Sequence, residues 1–207
     1  TALPIYIDVI LNGIDIETFK LDTSVSVIKN RIVTTASADI PLKGLRFLIN
    51  ALPRVISDFP DTHLVVIGKS PNESKIRKLI ADLGLKERIS FESNLSEEEI
   101  VSIYHKSQIA VIPSLYEGFG FGAGEAMACG VPLISTHSGG LKQVIGDSAL
   151  KIESGSVKEI EESIIKLFNE EETRTELSRK GRERMEEYFD WKIAAKAYID
   201  LFEALIK

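Results

Sequence analysis

Two glutamates, Glu117 and Glu125, flank the most glycine-rich stretch of the chain. Between them, glycine occupies four alternate positions, from Gly118 to Gly124. Alternate glycines let the backbone approach a ligand closely, and a helix that begins here would turn free N–H groups and the positive end of its dipole toward an anion. Ionised carboxylates accept hydrogen bonds from hydroxyl groups. The combination therefore predicts a site for a sugar phosphate or a ribose phosphate.

Other interpretations of the glycines are weaker. The glycines could serve only the packing of a helix against a strand, with both glutamates in solvent. Gly118, Gly120 and Ala123 match the G-x-G-x-x-A pattern of dinucleotide sites, but that pattern belongs after the first strand of a unit, whereas this stretch follows the fourth predicted strand. The segment Gly68-Lys69-Ser70 matches the last three residues of the P-loop motif, but position 63, where that motif requires glycine, is His63. We therefore exclude a P-loop.

Short apolar runs alternate with amphipathic runs along most of the chain. Apolar residues on both faces of a short run indicate a strand covered on both sides, and helices between such strands indicate βαβ units with right-handed crossovers. The sequence therefore predicts an α/β fold, a Rossmann-like doubly wound parallel sheet of about six strands with helices on both faces. The predicted strands are Arg31 to Ala36, Thr62 to Ile67, Arg88 to Glu92, Gln108 to Pro113, Val131 to Thr136 and Ser148 to Ile152.

The whole chain is expected to form a single domain with three parts. Residues 1–29 form an opening segment or linker, residues 30–153 form the α/β core, and residues 154–207 form a mainly helical tail. The tail is expected to pack on a face of the sheet or to reach a neighbouring domain.

Two local patterns refine this organisation. Trp191, Tyr198 and Phe202 recur at helical spacing in the tail and are expected to be packing residues rather than ligands. Ser96, followed three residues later by Glu99, predicts a capping box at the start of a helix.

Composition excludes several classes of partner. The chain has 25 Lys and Arg against 31 Asp and Glu, a formal net charge of −6, so it lacks the basic footprint of a protein that binds nucleic acid or an anionic membrane. No apolar stretch approaches the roughly 20 residues of a membrane span. The single Cys129 excludes an internal disulfide, and three scattered histidines make no metal site. We expect a cytoplasmic protein.

The spacing of Glu117 and Glu125 resembles the E-x7-E motif of retaining glycosyltransferases of the GT-B fold, in the large family 4 that includes glycogen synthase-like and sucrose synthase-like enzymes. Other segments along nearly the whole chain are similar to blocks of the same family. These segments are Asn12-Gly13-Ile14-Asp15, Pro41-Leu42-Lys43-Gly44-Leu45, Val65-Val66-Ile67-Gly68, Ala126 to Pro132 and Ser138-Gly139-Gly140.

The resemblance implies a role for each matching residue. Lys43 is expected at the donor diphosphate and Glu117 at the hydroxyls of the donor sugar, and these two are the candidate catalytic residues. Glu125 is expected at the ribose, with Ser93 and Asn94 near the nucleotide base. No cofactor or metal is implied, since the nucleotide-diphosphate sugar is itself a substrate. The backbone expected to contact the sugar and phosphates is that of Gly118, Phe119, Gly120, Phe121 and Gly122.

One position departs from the family pattern. Members commonly have an arginine about six residues before the lysine, also at the diphosphate, but position 37 is Ser37. Ser37 and backbone groups could replace the arginine, Arg46 could reach round to the site, or the donor could bind more weakly. Unless Arg46 supplies the missing charge, Lys43 alone carries more of it.

The resemblance covers one half of such an enzyme, in which the nucleotide-sugar half is joined to an N-terminal half that binds the acceptor. The absence of an initiating methionine agrees with a chain cut from a longer protein. We therefore expect donor binding, transfer with retention in the complete enzyme, and an inactive isolated domain. A non-catalytic module that binds a sugar nucleotide is the alternative, and an NAD(P)-dependent oxidoreductase fits less well.

Overall fold

The computed structural model describes residues 7–37, 40–70 and 75–206, in which strands and helices alternate. The strands are Ile28–Thr35 (β1), His63–Ile67 (β2), Ile89–Glu92 (β3), Ser107–Ile112 (β4), Leu133–Thr136 (β5) and Leu150–Ile152 (β6). The helices are Leu45–Asp58 (α1), Lys75–Asp82 (α2), Glu97–His105 (α3), Phe121–Ala128 (α4), Leu141–Ile145 (α5), Val157–Asn169 (α6), Glu171–Tyr188 (α7) and Trp191–Ile206 (α8). Each predicted strand is present, with its ends shifted by up to three residues.

The sheet is parallel throughout and has the order β3-β2-β1-β4-β5-β6. The chain builds outward from β1 to β3, then crosses back to place β4 against the free side of β1. The predicted doubly wound fold is therefore confirmed. In such sheets, ligands bind outside the carboxyl ends of the strands where the order reverses, which here is between β1 and β4.

The core has two layers, one on each face of the sheet. Neighbouring residues of β1 point to opposite faces, so Ile32 packs into one apolar cluster and Val33 into the other, and both are fully buried. The Ile32 layer includes apolar residues of α1 and α6, and the Val33 layer those of α4 and α5. Burial on both faces explains why the strands have apolar residues at nearly every position.

The opening segment contributes to the second layer and is more than a linker. Ile14 and Phe19 are buried among the residues that pack under α4. The backbone of Ile14 also forms two hydrogen bonds with the junction of α7 and α8. Its N–H donates to the Phe189 carbonyl, and its carbonyl accepts from the Trp191 N–H. Residues 1–6 lie outside the described part of the chain.

The predicted capping box at the start of α3 is confirmed. The Ser96 hydroxyl accepts a hydrogen bond from the Glu99 N–H at 3.3 Å, and the Glu99 carboxylate accepts one from the Ser96 N–H at 2.7 Å. The box fixes the first turn of α3, the helix that later supplies Tyr104 to the site.

The last helix differs from the expectation for the tail. Its apolar residues recur at helical spacing, yet no residue of α8 is buried, and Trp191, Tyr198 and Phe202 are each about half exposed. Tyr198 and Phe202 stack on each other, with ring centroids 6.4 Å apart. The tail therefore packs on the core through α6, whose apolar residues lie in the Ile32 layer, and α8 buries no residue there. The alternative, that the tail reaches a neighbouring domain, stays a prediction. Within the described residues, no helix has the length and apolarity to span a membrane.

The loop after β1 packs directly against the loop after β4. Gly44 has a left-handed φ of 68°, and a Cβ atom added to it would lie 2.0 Å from the Pro113 carbonyl oxygen. The Leu115 N–H donates a hydrogen bond to the Leu42 carbonyl at 2.7 Å. Only glycine allows this approach, so the lysine-glycine pair of the sequence positions Lys43 beside the β4 loop.

We predict that Gly44→Ala lowers the free energy of unfolding by about 3 kcal/mol, because it adds a backbone clash to the cost of a left-handed residue. Gly84→Ala is the matched control, since Gly84 has a φ of 69° with nothing within 4 Å of the added Cβ. The control should lose only about 1 kcal/mol. Urea unfolding monitored by circular dichroism measures both values, and equal losses would contradict the close packing.

Candidate functional site

A cleft of about 510 Å³ opens at the carboxyl ends of β1 and β4, where the strand order reverses. It is the position at which a doubly wound sheet binds its ligand. The cleft brings together eight of the eleven residues predicted from the sequence and two others. Its lining residues are Asn12, Thr35, Lys43, Glu117, Gly118, Phe119, Gly120, Phe121, Gly122 and Glu125.

The glycine-rich loop leads into α4 at the floor of the cleft. Gly120 is the N-cap of α4 with a φ of 107°, and a Cβ there would lie 2.6 Å from the Leu141 side chain. A Cβ on Gly122 would lie 1.9 Å from the Thr35 hydroxyl oxygen, so the first turn of α4 rests on the end of β1. The N–H groups at a helix start lack partners within the helix and favour an anion. This end of α4 faces the cleft.

Lys43 and Glu117 form an ion pair across the two loops. The Lys43 ammonium donates to Glu117 Oε1 at 2.6 Å, and the Glu117 side chain is only 13% exposed. The hydroxyl of the buried Ser114 donates to the same oxygen at 2.9 Å. Both donors use Oε1, and no hydrogen bond joins Oε2 to another of the described residues. Lysine has three N–H donors, so Lys43 can bind a phosphate while it keeps Glu117.

The loop after β5 supports the backbone of Glu117. A Cβ on Gly139 would lie 2.3 Å from the Glu117 carbonyl oxygen, and one on Gly140 would lie 2.3 Å from the Gly118 carbonyl oxygen. The Gly140 N–H donates to the Glu117 carbonyl at 2.8 Å. The two glycines of the Ser138-Gly139-Gly140 segment therefore fix the start of the glycine-rich loop.

Glu125 lies on α4 and is largely buried. The Tyr104 hydroxyl donates to Glu125 Oε2 at 3.1 Å and lies 3.3 Å from the Gly122 carbonyl oxygen. Burial raises the pKa of Glu125, the Tyr104 hydrogen bond opposes this rise, and the charge of Glu97 adds to it. Burial and the nearby Glu125 charge likewise raise the pKa of Tyr104 well above its ordinary value, so the phenol stays protonated.

The three remaining predicted residues lie in a neighbouring cavity. Ser37, Ser93 and Asn94 line a space of about 260 Å³ at the ends of β2 and β3, together with Gly68 and Lys69. The structure thus separates the predicted base-binding residues from the Lys43 cleft, on the same edge of the sheet. Asn94 has a φ of 57°, a left-handed conformation that asparagine tolerates better than most residues.

Arg46 does not replace the family arginine in this structure. Its guanidinium lies over the ring of Phe47, 4.4 Å from the ring centroid, and it is absent from the residues that line the two cavities. Ser37 lines only the smaller cavity. Residues 38 and 39 of the same loop lie outside the described part of the chain.

Four residues of the site were not predicted from the sequence. Asn12 and Thr35 line the cleft. The hydroxyls of Ser114 and Tyr104 donate hydrogen bonds to Glu117 and Glu125, respectively. Thr35 and Ser114 carry a detectable signal, because they lie at or just after the carboxyl ends of β1 and β4. Tyr104 carries none, since it occupies an ordinary buried position of a helix.

The aromatic residues and the cysteine near the site differ in their surroundings. Phe119 lines the cleft and also packs on Phe121 and Phe189, with centroids 4.9 and 6.0 Å away. Tyr116 is 59% exposed. Cys129 ends α4 and is buried, and burial together with the Glu125 charge raises the pKa of its thiol to about 12.

A second large cavity, of about 520 Å³, lies at the opposite edge of the sheet. Its lining includes Ser107 at the start of β4 and Pro132 just before β5. It therefore opens at the amino ends of the strands, away from the loops that carry the glutamates and the lysine. We place the candidate site at the Lys43 cleft for this reason.

We predict that Glu125→Gln increases the stability of the ligand-free protein at pH 8. A carboxyl whose pKa is raised on folding binds more protons folded than unfolded, so its contribution to stability falls as pH rises from its ordinary value of 4.5 through its folded pKa. Glutamine removes that loss and still accepts the Tyr104 hydrogen bond.

Thermal unfolding of wild type and variant between pH 4 and pH 8 tests this. The advantage of the variant should shrink as the pH falls toward 4.5. Glu203→Gln, at an exposed position of α8, is the control and should show no such trend. A constant difference between wild type and Glu125→Gln across the range would contradict the buried, ionised carboxylate.

Sequence comparison identifies relatives of this chain. Residues 20–184 match the family described as glycosyl transferases group 1. The chain is 34% identical over 182 residues to an MMP alpha-(1->4)-mannosyltransferase of Mycolicibacterium hassiacum, and the match covers 86% of this chain and 44% of that protein. The chain spans less than half the length of the curated relatives it matches.

Solved structures show the same fold. Sucrose-phosphate synthase from Thermosynechococcus elongatus matches with a TM-score of 0.83 and 24% identity, over 95% of this chain and 52% of that chain. The C-terminal domain of a glycosyl transferase group 1 family protein, LpcC, from Francisella tularensis matches with a TM-score of 0.74 and 24% identity, over 86% of this chain and 99% of that one. Together with the family match, these structures indicate a Rossmann-like domain of the GT-B fold. The chain belongs to the glycosyl transferases group 1 family.

Proposed function

We propose that this chain is the donor-binding half of a retaining glycosyltransferase of family 4. It would bind a nucleotide-diphosphate sugar, whose sugar the complete enzyme transfers to an acceptor hydroxyl. The observation that carries the proposal is the convergence of Lys43, Glu117, Glu125 and the start of α4 on one cleft at the reversal of strand order. The mannosyltransferase relative supports a hexose as the transferred sugar.

The proposed chemistry needs charge stabilisation at the diphosphate. Negative charge grows on the leaving nucleoside diphosphate as the glycosidic bond breaks, and groups fixed beforehand stabilise it without rearrangement. Lys43 supplies an ammonium that Glu117 and the packed Gly44 loop already hold in place. The first N–H groups of α4, at Phe121 and Gly122, supply the second stabilising element.

The two glutamates have separate proposed roles. Glu117 Oε2 would accept a hydrogen bond from a hydroxyl of the donor sugar, since its other oxygen is held by Lys43 and Ser114. Glu125 would accept hydrogen bonds from the ribose hydroxyls. Retention would follow if the acceptor attacks on the side from which the diphosphate leaves, so that the acceptor hydroxyl gives its proton to the departing phosphate. This step belongs to the complete enzyme, in which a second half would supply the acceptor and exclude water.

The base is proposed to occupy the cavity lined by Ser93 and Asn94. Ser37 also lines that cavity, and its proposed role is to contact the donor there in place of the family arginine. Metal independence stays a prediction. Among residues 7–37, 40–70 and 75–206, no three histidine, cysteine, aspartate or glutamate side chains are grouped to hold a metal ion.

A non-catalytic module that binds a sugar nucleotide is the second candidate. It is favoured by Ser37 in place of the family arginine and by the position of Arg46, whose guanidinium lies over the Phe47 ring. Such a module would bind the donor, and its complete protein would transfer no sugar. An NAD(P)-dependent oxidoreductase is disfavoured, because the glycine-rich loop follows β4 rather than the first strand.

Calorimetric titration of the 207-residue chain with UDP, GDP, ADP and their sugar conjugates tests the donor site. We expect one nucleotide to bind and Lys43→Ala and Glu125→Ala each to weaken its binding by about 1 kcal/mol or more, as the loss of a charge-assisted hydrogen bond should. Using the chain alone is supported by the LpcC domain, which was crystallised as a C-terminal domain.

Lys158→Ala and Glu203→Ala, on exposed surfaces of α6 and α8, are the matched controls and should leave binding unchanged. Unchanged binding in the Lys43 and Glu125 variants would refute the proposed site. For the complete protein, nuclear magnetic resonance of the first-formed product distinguishes retention from inversion, and donor binding without transfer would favour the non-catalytic module.

A further inference from the structure

Tyr104 connects α3 to the glutamate of α4 from within the core. Its side chain is only 1% exposed, and its ring packs edge-on against Phe19 with centroids 6.4 Å apart. The hydroxyl at the end of this ring donates a hydrogen bond to Glu125 Oε2 at 3.1 Å. A buried tyrosine hydroxyl normally has a hydrogen-bond partner, and here that partner is a residue of the candidate site.

The hydroxyl has one proton and two acceptors within reach. The Gly122 carbonyl lies 3.3 Å away and the Glu125 carboxylate 3.1 Å away. A carboxylate is the stronger acceptor, so the proton is directed to Glu125 Oε2. In the described part of the chain, Glu125 Oε1 has no recorded hydrogen-bond partner, and Glu125 lines the cleft. The tyrosine therefore determines which carboxylate oxygen remains for a ligand.

Among the described residues, Glu125 forms no ion pair comparable to the one between Lys43 and Glu117. The charged neighbour that acts on the pKa of Glu125 is Glu97, which like burial raises it, whereas the Tyr104 hydrogen bond lowers it. Arg182, which contacts the end of α4 through the Ala128 carbonyl, donates its hydrogen bonds to backbone carbonyls and to Glu186. The tyrosine hydroxyl is thus the contact that favours an ionised, oriented carboxylate at this position.

We propose that Tyr104 is a positioning residue, whose hydroxyl orients the Glu125 carboxylate so that Oε1 accepts hydrogen bonds from the ribose diol of a bound nucleotide. The inference rests on the proposed function, because it takes a nucleotide as the ligand. It goes further in assigning to Tyr104 on α3 the orientation of the Glu125 carboxylate on α4. Tyr104 itself does not touch the ligand.

The test compares ribonucleotides with their 2′,3′-dideoxy counterparts on the same chain. In wild type, the ribonucleoside diphosphate that binds should bind about tenfold more tightly than its dideoxy form, as expected for hydrogen bonds to a charged acceptor. Tyr104→Phe should weaken binding of the ribonucleotide by about fivefold and leave the dideoxy form unchanged. Tyr198→Phe, at an exposed position of α8, should bind both ligands like wild type.

A combined variant distinguishes positioning from general packing. If Tyr104 acts through Glu125, adding Tyr104→Phe to Glu125→Ala, which has no carboxylate to orient, should cost no further affinity. Independent, additive losses would overturn the inference. Loss of affinity for both the ribonucleotide and the dideoxy form would also overturn it, because this result indicates a change of the whole cleft.

A measurement without ligand separates this inference from the proposed function. Carbon-13 resonances of labelled glutamate carboxyls report the pKa of Glu125, which should rise in Tyr104→Phe because the hydrogen bond to the ionised form is lost. Incorporation of 3-fluorotyrosine at position 104 keeps the ring and the hydroxyl and serves as a second variant. Its more acidic hydroxyl should lower the pKa of Glu125.

The outcomes are distinct. An unchanged pKa of Glu125 in both variants refutes the positioning role whatever the chain binds. A changed pKa with no nucleotide bound by wild type refutes the proposed function, and with it the ribose assignment. A nucleotide that binds wild type and Tyr104→Phe with the same preference over its dideoxy form refutes the inference alone.

Discussion

The ion pair between Lys43 and Glu117 joins the two sides of the cleft. The two residues are 74 positions apart in sequence, and their contact requires β1 and β4 to be neighbours in the sheet. It also requires the loop after β1 to lie against Pro113, which Gly44 allows. The reversal of strand order, the glycine and the ion pair are therefore parts of one arrangement. Without the reversal, β4 would not lie beside β1, and other strands would separate the cation from the carboxylate.

Each glutamate of the site accepts hydrogen bonds from the described residues through one of its two carboxylate oxygens. Ser114 and Lys43 hold Glu117, and Tyr104 holds Glu125. Each hydroxyl donor is buried, so its position is set by the core rather than by solvent. Polar groups fixed in this way need little reorganisation when charge develops nearby. The two glutamates differ in their donors. Glu117 has the Lys43 ammonium beside it, whereas the donor to Glu125 is the neutral hydroxyl of Tyr104.

Much of the fold could be predicted from the sequence, for a physical reason. A strand buried on both faces must be apolar at adjacent positions, as Ile32 and Val33 are, and a helix beside it must be apolar along one stripe. The glycine-rich loop was visible because close backbone approach, as at Gly122, requires glycine. The pairing of Lys43 with the β4 loop came from the family resemblance, since no local pattern links such distant residues.

The contacts behind the site could not be predicted in the same way. Periodicity marks Tyr104 as a core position, but it does not show that its hydroxyl reaches a carboxylate 21 residues further along. The apolar pattern of α8 predicted packing, yet Trp191 and Phe202 are about half exposed, because a pattern shows which face is apolar and not what covers it. Arg46 was a candidate by sequence position alone, and its stacking on Phe47 depends on the tertiary structure.

The single cysteine has a practical consequence for work on this chain. Cys129 is buried at the end of α4, and its thiol has a pKa of about 12, so almost none of the reactive thiolate exists at neutral pH. Maleimide reagents should therefore not react with Cys129 in the folded chain. A cysteine introduced at the exposed Tyr116, close to the start of the glycine-rich loop, would be the sole labelled position and could carry a fluorophore that reports on the cleft in real time.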